Sequence, residues 1–127
     1  MARVLVAEDD AAIREFVCRA LGQRGHEVTA VDDGIAALEA LGADQFDLLL
    51  TDIRMPGLDG ITLALKASKE QPGVAILMMT GFAAEEQRAH NLDALIHRVV
   101  TKPFTLVEIC DAADEAMANG PRGNAPN

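Results

Sequence analysis

Short apolar, β-rich runs alternate along the chain with segments whose apolar residues recur at helical spacing, five times over. Arg3-Val4-Leu5-Val6-Ala7 is a continuous apolar run, as a central parallel strand needs because both of its faces are buried. Ile13, Phe16, Val17, Ala20 and Leu21 then repeat on one helical face, and Gly25 supplies the stop. Glu27 to Val31 reads as a second strand. Ile35, Leu38 and Leu41 predict a short helix with Gly42 beyond its end. Leu48-Leu49-Leu50-Thr51-Asp52 is a third strand, buried on both faces. Gly60 precedes a helix that turns Ile61, Leu65 and Ser68 inward, and Pro72-Gly73 ends it. Ala75 to Thr80 is a fourth strand, in which Met78 and Met79 read as core filler. Ala83 to about Asn91 is a weaker helix, with Glu85, Glu86 and Arg88 on a solvated face. Arg98 to Thr101 is a short fifth strand. Thr105-Leu106-Val107-Glu108 is a capping box. It opens a last helix with Leu106, Ile109, Cys110, Ala113 and Met117 on one stripe, broken by Gly120-Pro121.

Strands and helices in this alternation imply an open parallel sheet covered on both faces. Right-handed crossovers leave few topologies, and the doubly wound, flavodoxin-like (βα)5 order 2-1-3-4-5 is the natural α/β choice. The 127 residues make one domain, expected over residues 1–119, with residues 120–127 as a flexible Gly/Pro/Asn-rich tail. With aromatics at 3% and neither Trp nor Tyr, the core must be built from Val, Leu, Ile, Ala and Met. The net charge of -9 argues against a nucleic-acid face, since phosphate contacts need Lys and Arg. Cys18 and Cys110 show no metal or redox spacing and read as small hydrophobes. His26, His90 and His97 have no ligand-pair spacing and read as structural or solvated. The chain starts in a strand-like run rather than a signal peptide, and no apolar stretch approaches the ~20 residues that span a bilayer. A cytoplasmic protein with no membrane contact, monomeric or weakly dimeric, is expected.

In such a sheet the site lies beyond the carboxyl ends of the strands, beside the switch between strands one and three. Strand one ends in Glu8-Asp9-Asp10, strand three in Asp52, strand four in Thr80, and strand five in Thr101-Lys102-Pro103. Asp10 fits a plain helix cap. The remaining carboxylates would repel one another at close range, which raises pKa values or calls for a cation. Mg²⁺ takes oxygen ligands and commonly one or two carboxylates plus phosphate oxygens. A carboxylate in that setting can attack a phosphoryl donor to give an acyl phosphate. Lys102 and Thr80 would then meet the charge on the transferred oxygens.

The segments Val4-Leu5-Val6-Ala7-Glu8-Asp9-Asp10, Thr51-Asp52-Ile53-Arg54-Met55-Pro56-Gly57-Leu58-Asp59-Gly60, Met79-Thr80-Gly81 and Thr101-Lys102-Pro103-Phe104 resemble the receiver domain of two-component response regulators. The resemblance implies that Asp52 is the phosphoacceptor, supplied by a histidine kinase or a histidine phosphotransfer protein. It implies Mg²⁺ ligation by Asp9, Asp52 and the Arg54 backbone carbonyl, with Glu8 acting through water. Thr80 becomes the switch hydroxyl, Lys102 the phosphate-binding lysine, and Lys102-Pro103 a cis bond. One position departs from the family. Receivers usually carry Tyr or Phe three residues before the lysine, where this chain has Val99, so the resemblance does not extend to a Thr-aromatic switch at that position. Phe82 is a candidate for a related switch role or for control of water access to the phosphate. The segments around Thr80 and Lys102 further resemble CpdR-type single-domain regulators of alphaproteobacteria. That resemblance implies an output protein that is an ATP-dependent protease.

The leading reading is therefore an auto-phosphorylating signalling module rather than an enzyme, gating protein–protein binding. A phosphate shuttle to a histidine phosphotransfer protein is the main alternative. An aspartyl-phosphate hydrolase would need a general acid such as a second Asp two residues after the nucleophile, and that position is Arg54. A flavin protein of the same fold would place Glu8-Asp9-Asp10 against the flavin phosphate.

Overall fold

The computed structural model describes residues 2–81 and 98–119. Five parallel strands, β1 (Arg3–Ala7), β2 (Glu27–Val31), β3 (Leu48–Asp52), β4 (Ala75–Thr80) and β5 (Arg98–Thr101), form one sheet in the order β2-β1-β3-β4-β5. The register pairs Ala7 with Val31 on one side and with Thr51 on the other, and Thr80 with Thr101. The last residues of the strands therefore lie along one edge. Four helices occur among the described residues: α1 (Ala11–Gln23), α2 (Gly34–Ala43), α3 (Gly60–Glu70) and α4 (Leu106–Asn119). The anticipated helix from Ala83, together with Phe82, His90, His97 and the tail from Gly120, lies outside the described residues.

Alternation along each strand divides the core into two layers. Val4, Val6, Leu48, Leu50, Leu77 and Met79 face α1 and α4, whereas Leu5, Ala7, Leu49, Ile76 and Met78 face α2 and α3. Every residue of β3 and β4 is buried, which is why both read as unbroken apolar runs. The helix starts follow capping chemistry. Asp10 accepts from Ala12 N and Ile13 N, Asp33 from Ala36 N, and Asp59 from Thr62 N. The capping box forms in both directions, with Thr105 N donating to Glu108 Oε1 at 2.8 Å and Glu108 N to Thr105 Oγ1 at 3.1 Å.

Three helical expectations need correction. Gly42 does not lie past α2 but within it, and the helix closes when Asp44 N bonds Ala40 O. In α3 the buried stripe is Gly60, Leu63, Ala64 and Ala67, while Leu65 is exposed and Ile61 and Ser68 only half-buried. Small residues on either side of Leu63 let α3 sit close to the sheet, so Ile61 and Leu65 flank the contact instead of making it. Phe16 and Ile35 are also exposed rather than central to their stripes. Cys110 is fully buried, its Sγ lying 3.3 Å from Ala20 O, and Cys18 packs beside the same layer; burial pushes both thiols up. His26 is tied into the structure, its Nδ1 accepting from Ala2 N and its Nε2 bonded to Asp114 Oδ1.

Candidate functional site

Three chain reversals bring the chemistry to the carboxyl edge of the sheet. After β1 the chain turns sharply into α1, leaving Glu8 fully buried and Asp9 exposed. Glu8 is held at every polar atom. Its N donates to Val31 O at 3.2 Å, its Oε2 accepts from Asp10 N at 3.0 Å, and its Oε1 accepts from Lys102 Nζ at 2.9 Å. Its carbonyl accepts from Arg14 Nη1 at 2.8 Å.

Asp52 ends β3 and is only 6% exposed. Its carbonyl accepts from the buried Thr51 hydroxyl at 2.9 Å. The following loop folds back so that Gly60 N bonds Ile53 O at 2.8 Å. A Cβ on Gly60 would lie 2.1 Å from the Asp52 carbonyl oxygen, so only glycine admits this packing. Gly57, at φ 80°, makes the loop's turn. Asp9, Arg54, Met55, Pro56 and Asp59 line an open cavity of about 420 Å³ beside the acidic edge. Arg54 thus shares the mouth of the site with Asp9.

Beyond β5, Lys102 N donates to Thr80 O at 2.7 Å, and the Lys102-Pro103 bond is cis, as anticipated. That anchor returns the Lys102 ammonium into the site, where it bonds both Glu8 Oε1 and, at 3.1 Å, Asp52 Oδ2. Thr80 closes β4 and is 1% exposed. Val99 is half-buried on β5 opposite Met78 and packs with the α2–α3 layer.

Glu8, Asp9 and Asp52 each present a carboxylate oxygen within 4.8 Å of the others. An all-oxygen set of this kind, without thiolate or imidazole, suits a hard divalent ion such as Mg²⁺. Burial pushes Glu8 up from 4.5 to about 7; the nearby Asp52 charge adds to the rise, while hydrogen bonds from Lys102 and Asp10 N oppose it. Burial by itself would lower Lys102, but Glu8 and Asp52 together hold it above its ordinary value. The Lys102 ammonium is thus shared by the two buried carboxylates, Glu8 and Asp52, with the exposed Asp9 beside them.

The sequence brought Glu8, Asp9, Asp52, Thr80 and Lys102 to this edge, and the structure gathers them there. Arg14 was missed. It lies one helical turn past the Asp10 cap, a spacing that points a side chain back over the strand-to-helix loop.

Residues 4–114 match the family model described as the response regulator receiver domain. The chain is 39% identical over 117 residues to the response regulator receiver protein CpdR of Brucella abortus (strain 2308), covering 92% of this chain and 98% of that protein. Other curated relatives are longer, and the chain spans half or less of their length. Among solved structures, a CheY-like receiver domain protein from Methanospirillum hungatei JF-1 superposes with a TM-score of 0.86 at 29% identity, covering 93% of this chain and 94% of that one. The response regulator TrrA from Thermotoga maritima, in complex with Mg²⁺-BeF, superposes with a TM-score of 0.82 at 26% identity, covering 91% of this chain and 99% of that one.

Proposed function

Because the chain belongs to the response-regulator receiver family of bacterial two-component systems, we propose that its carboxyl edge accepts a phosphoryl group on Asp52 and that this changes the surface offered to a partner protein. Receiver domains work with histidine kinases or phosphotransfer proteins and bind Mg²⁺ at an acidic pocket. In this reading Asp9, Asp52 and the Arg54 carbonyl hold the ion directly and Glu8 holds it through water. Mg²⁺, when bound, supplies charge that offsets the phosphoryl oxygens.

The chain's own residues carry the rest. The Asp52 oxygen forms the bond to phosphorus as the phosphohistidine nitrogen leaves, so the product is an acyl phosphate. Lys102 already reaches Asp52 Oδ2 and needs no large displacement to meet a phosphoryl oxygen there. Thr80 is the hydroxyl on β4 that turns toward the new group, with its backbone already tied to Lys102. Val99 has no ring to rotate, so in this reading the change of surface starts from Thr80. Residues 1–119 form the signalling unit in this proposal. Likeness to CpdR-type regulators makes an ATP-dependent protease the candidate output partner, reached as an adaptor rather than through DNA or a membrane. No helix among the described residues is long and apolar enough to cross a membrane.

The observation that carries the proposal is the single Lys102 ammonium shared between buried Glu8 and Asp52. Purified protein with acetyl phosphate and Mg²⁺ should gain one acid-stable, hydroxylamine-labile phosphoryl group that maps to Asp52, and Asp52→Asn should gain none. Wild-type protein that stays unmodified, or a label on another residue, overturns the assignment.

A further inference from the structure

The Asp9 carboxylate is exposed, and none of the described residues hydrogen-bonds it. Its aim must therefore be set by the backbone on either side. The peptide that follows Asp9 is fixed by Asp10 N, which donates to Glu8 Oε2 at 3.0 Å. The peptide that precedes it is fixed by Arg14, whose Nη1 donates to the Glu8 carbonyl at 2.8 Å. Arg14 also donates its backbone N–H to Asp10 O at 2.9 Å. One residue of α1, itself half-buried, thus spans the acidic turn and grips it at both ends, with a guanidinium that cannot be deprotonated.

We propose that Arg14 is a positioning residue for the divalent site, presetting the Asp9 carboxylate by clamping the Glu8–Asp9 peptide. The inference rests on the metal reading above. It makes a prediction opposite in sign to that of bare electrostatics. A guanidinium beside a carboxylate cluster repels a divalent cation, so a residue acting only by charge should, when removed, let Mg²⁺ bind more tightly. A residue acting by position should, when removed, weaken Mg²⁺, because groups that orient metal ligands commonly carry tenfold or more of the affinity.

Mg²⁺ binding to the full chain is measured by titration calorimetry for wild type, Arg14→Ala, Arg14→Lys and Arg14→Gln, with far-UV dichroism on each. Arg19→Ala is the control, since Arg19 is exposed and, among the described residues, pairs with Glu15 one turn earlier in the same helix. Arg14→Ala is expected to bind Mg²⁺ roughly tenfold more weakly. Lys and Gln, which keep a donor for the Glu8 carbonyl, are expected to recover most of the loss, and Arg19→Ala to match wild type. Equal or tighter binding by Arg14→Ala overturns the proposal, and so does a loss that neither Lys nor Gln repairs. Should Arg14→Ala fail to fold, Arg14→Met, which keeps the aliphatic stem but no donor, takes its place, and binding by Arg14→Met equal to or tighter than that of wild type counts against the clamp. Wild-type protein that binds no Mg²⁺ would remove the metal reading itself, a failure distinct from equal binding by wild type and Arg14→Ala.

Discussion

The two ends of the sheet treat charge in opposite ways. At the amino end, cations and anions meet in water. Arg3 pairs with Glu27 at 3.1 Å, and Arg24 reaches Asp111 at 3.1 Å and Asp114 at 2.7 Å, with side chains 35% exposed or more. His26 adds a bond to Asp114, and the cluster joins the end of α1, the start of β2 and the face of α4. Arg3 and Arg24 meet four carboxylates there, Glu27, Asp44, Asp111 and Asp114, and water screens the excess of negative charge. At the carboxyl end, Glu8 and Asp52 are buried, and Lys102 is their shared partner. At the first end solvent tolerates that excess, and the exposed pairs hold neighbouring elements together. At the second the crowded carboxylates are buried where water screens them poorly, and such a cluster is one that can bind a cation. Local unfavourability of this kind is expected where a protein binds or reacts.

The contrast can be broken most strongly at Lys102. Lys102→Met should leave two buried carboxylates without a cation and lower metal-free stability at pH 8 by about 2 kcal/mol, less than for a fully dry pair because the ammonium is partly exposed. Urea denaturation should show this loss shrinking at pH 5, where Glu8 holds a proton. Equal losses at both pH values would mean that repulsion is not its cause.

A comparable effect should follow from Glu8 itself. Its pKa is higher in the folded protein, about 7, than the ordinary 4.5, so the folded state binds more protons between those values. Raising pH through that window therefore favours unfolding of the metal-free protein, by an amount on the order of 1–3 kcal/mol. Lys102 adds no slope there, since its raised value affects only alkaline pH. Subtracting the stability profile of Glu8→Gln from that of wild type should leave a fall between pH 4.5 and 7. A difference that is flat across the window contradicts the burial argument.

The smallest effect belongs to the amino end. Arg24→Ala should cost little and should cost still less in high salt, because exposed pairs are screened. It should leave phosphorylation of Asp52 untouched. A large, salt-independent loss would show that the two ends are not so different.

The fold was legible because its strands are buried on both faces and so print as runs, as at Leu48–Asp52. The helices were legible in place but not in facing. Alanine carries a weak signal, so Ala64 and Ala67 were outranked by Ile61 and Leu65, although the small pair makes the contact. A glycine near a helix end suggested a stop at Gly42, where the helix runs on. The site was legible as a set because parallel topology sends the last residue of each strand to one edge. The bond from Lys102 to Glu8 was not, since it joins residues 94 positions apart and depends on the path of the loop after β5. The role of Arg14 was hidden for a related reason: its partner is a backbone carbonyl, and its spacing from the Asp10 cap is the one trace of that bond in the sequence.

The central claim is that the carboxyl end is completed by a divalent cation, and thermal denaturation with and without saturating Mg²⁺ tests it most directly. Mg²⁺ should raise the melting temperature of wild type and Arg24→Ala alike, because it binds the folded state, and should leave Asp9→Asn nearly unmoved. A wild-type protein indifferent to Mg²⁺, or an Asp9→Asn variant stabilised as much as wild type, would contradict the account.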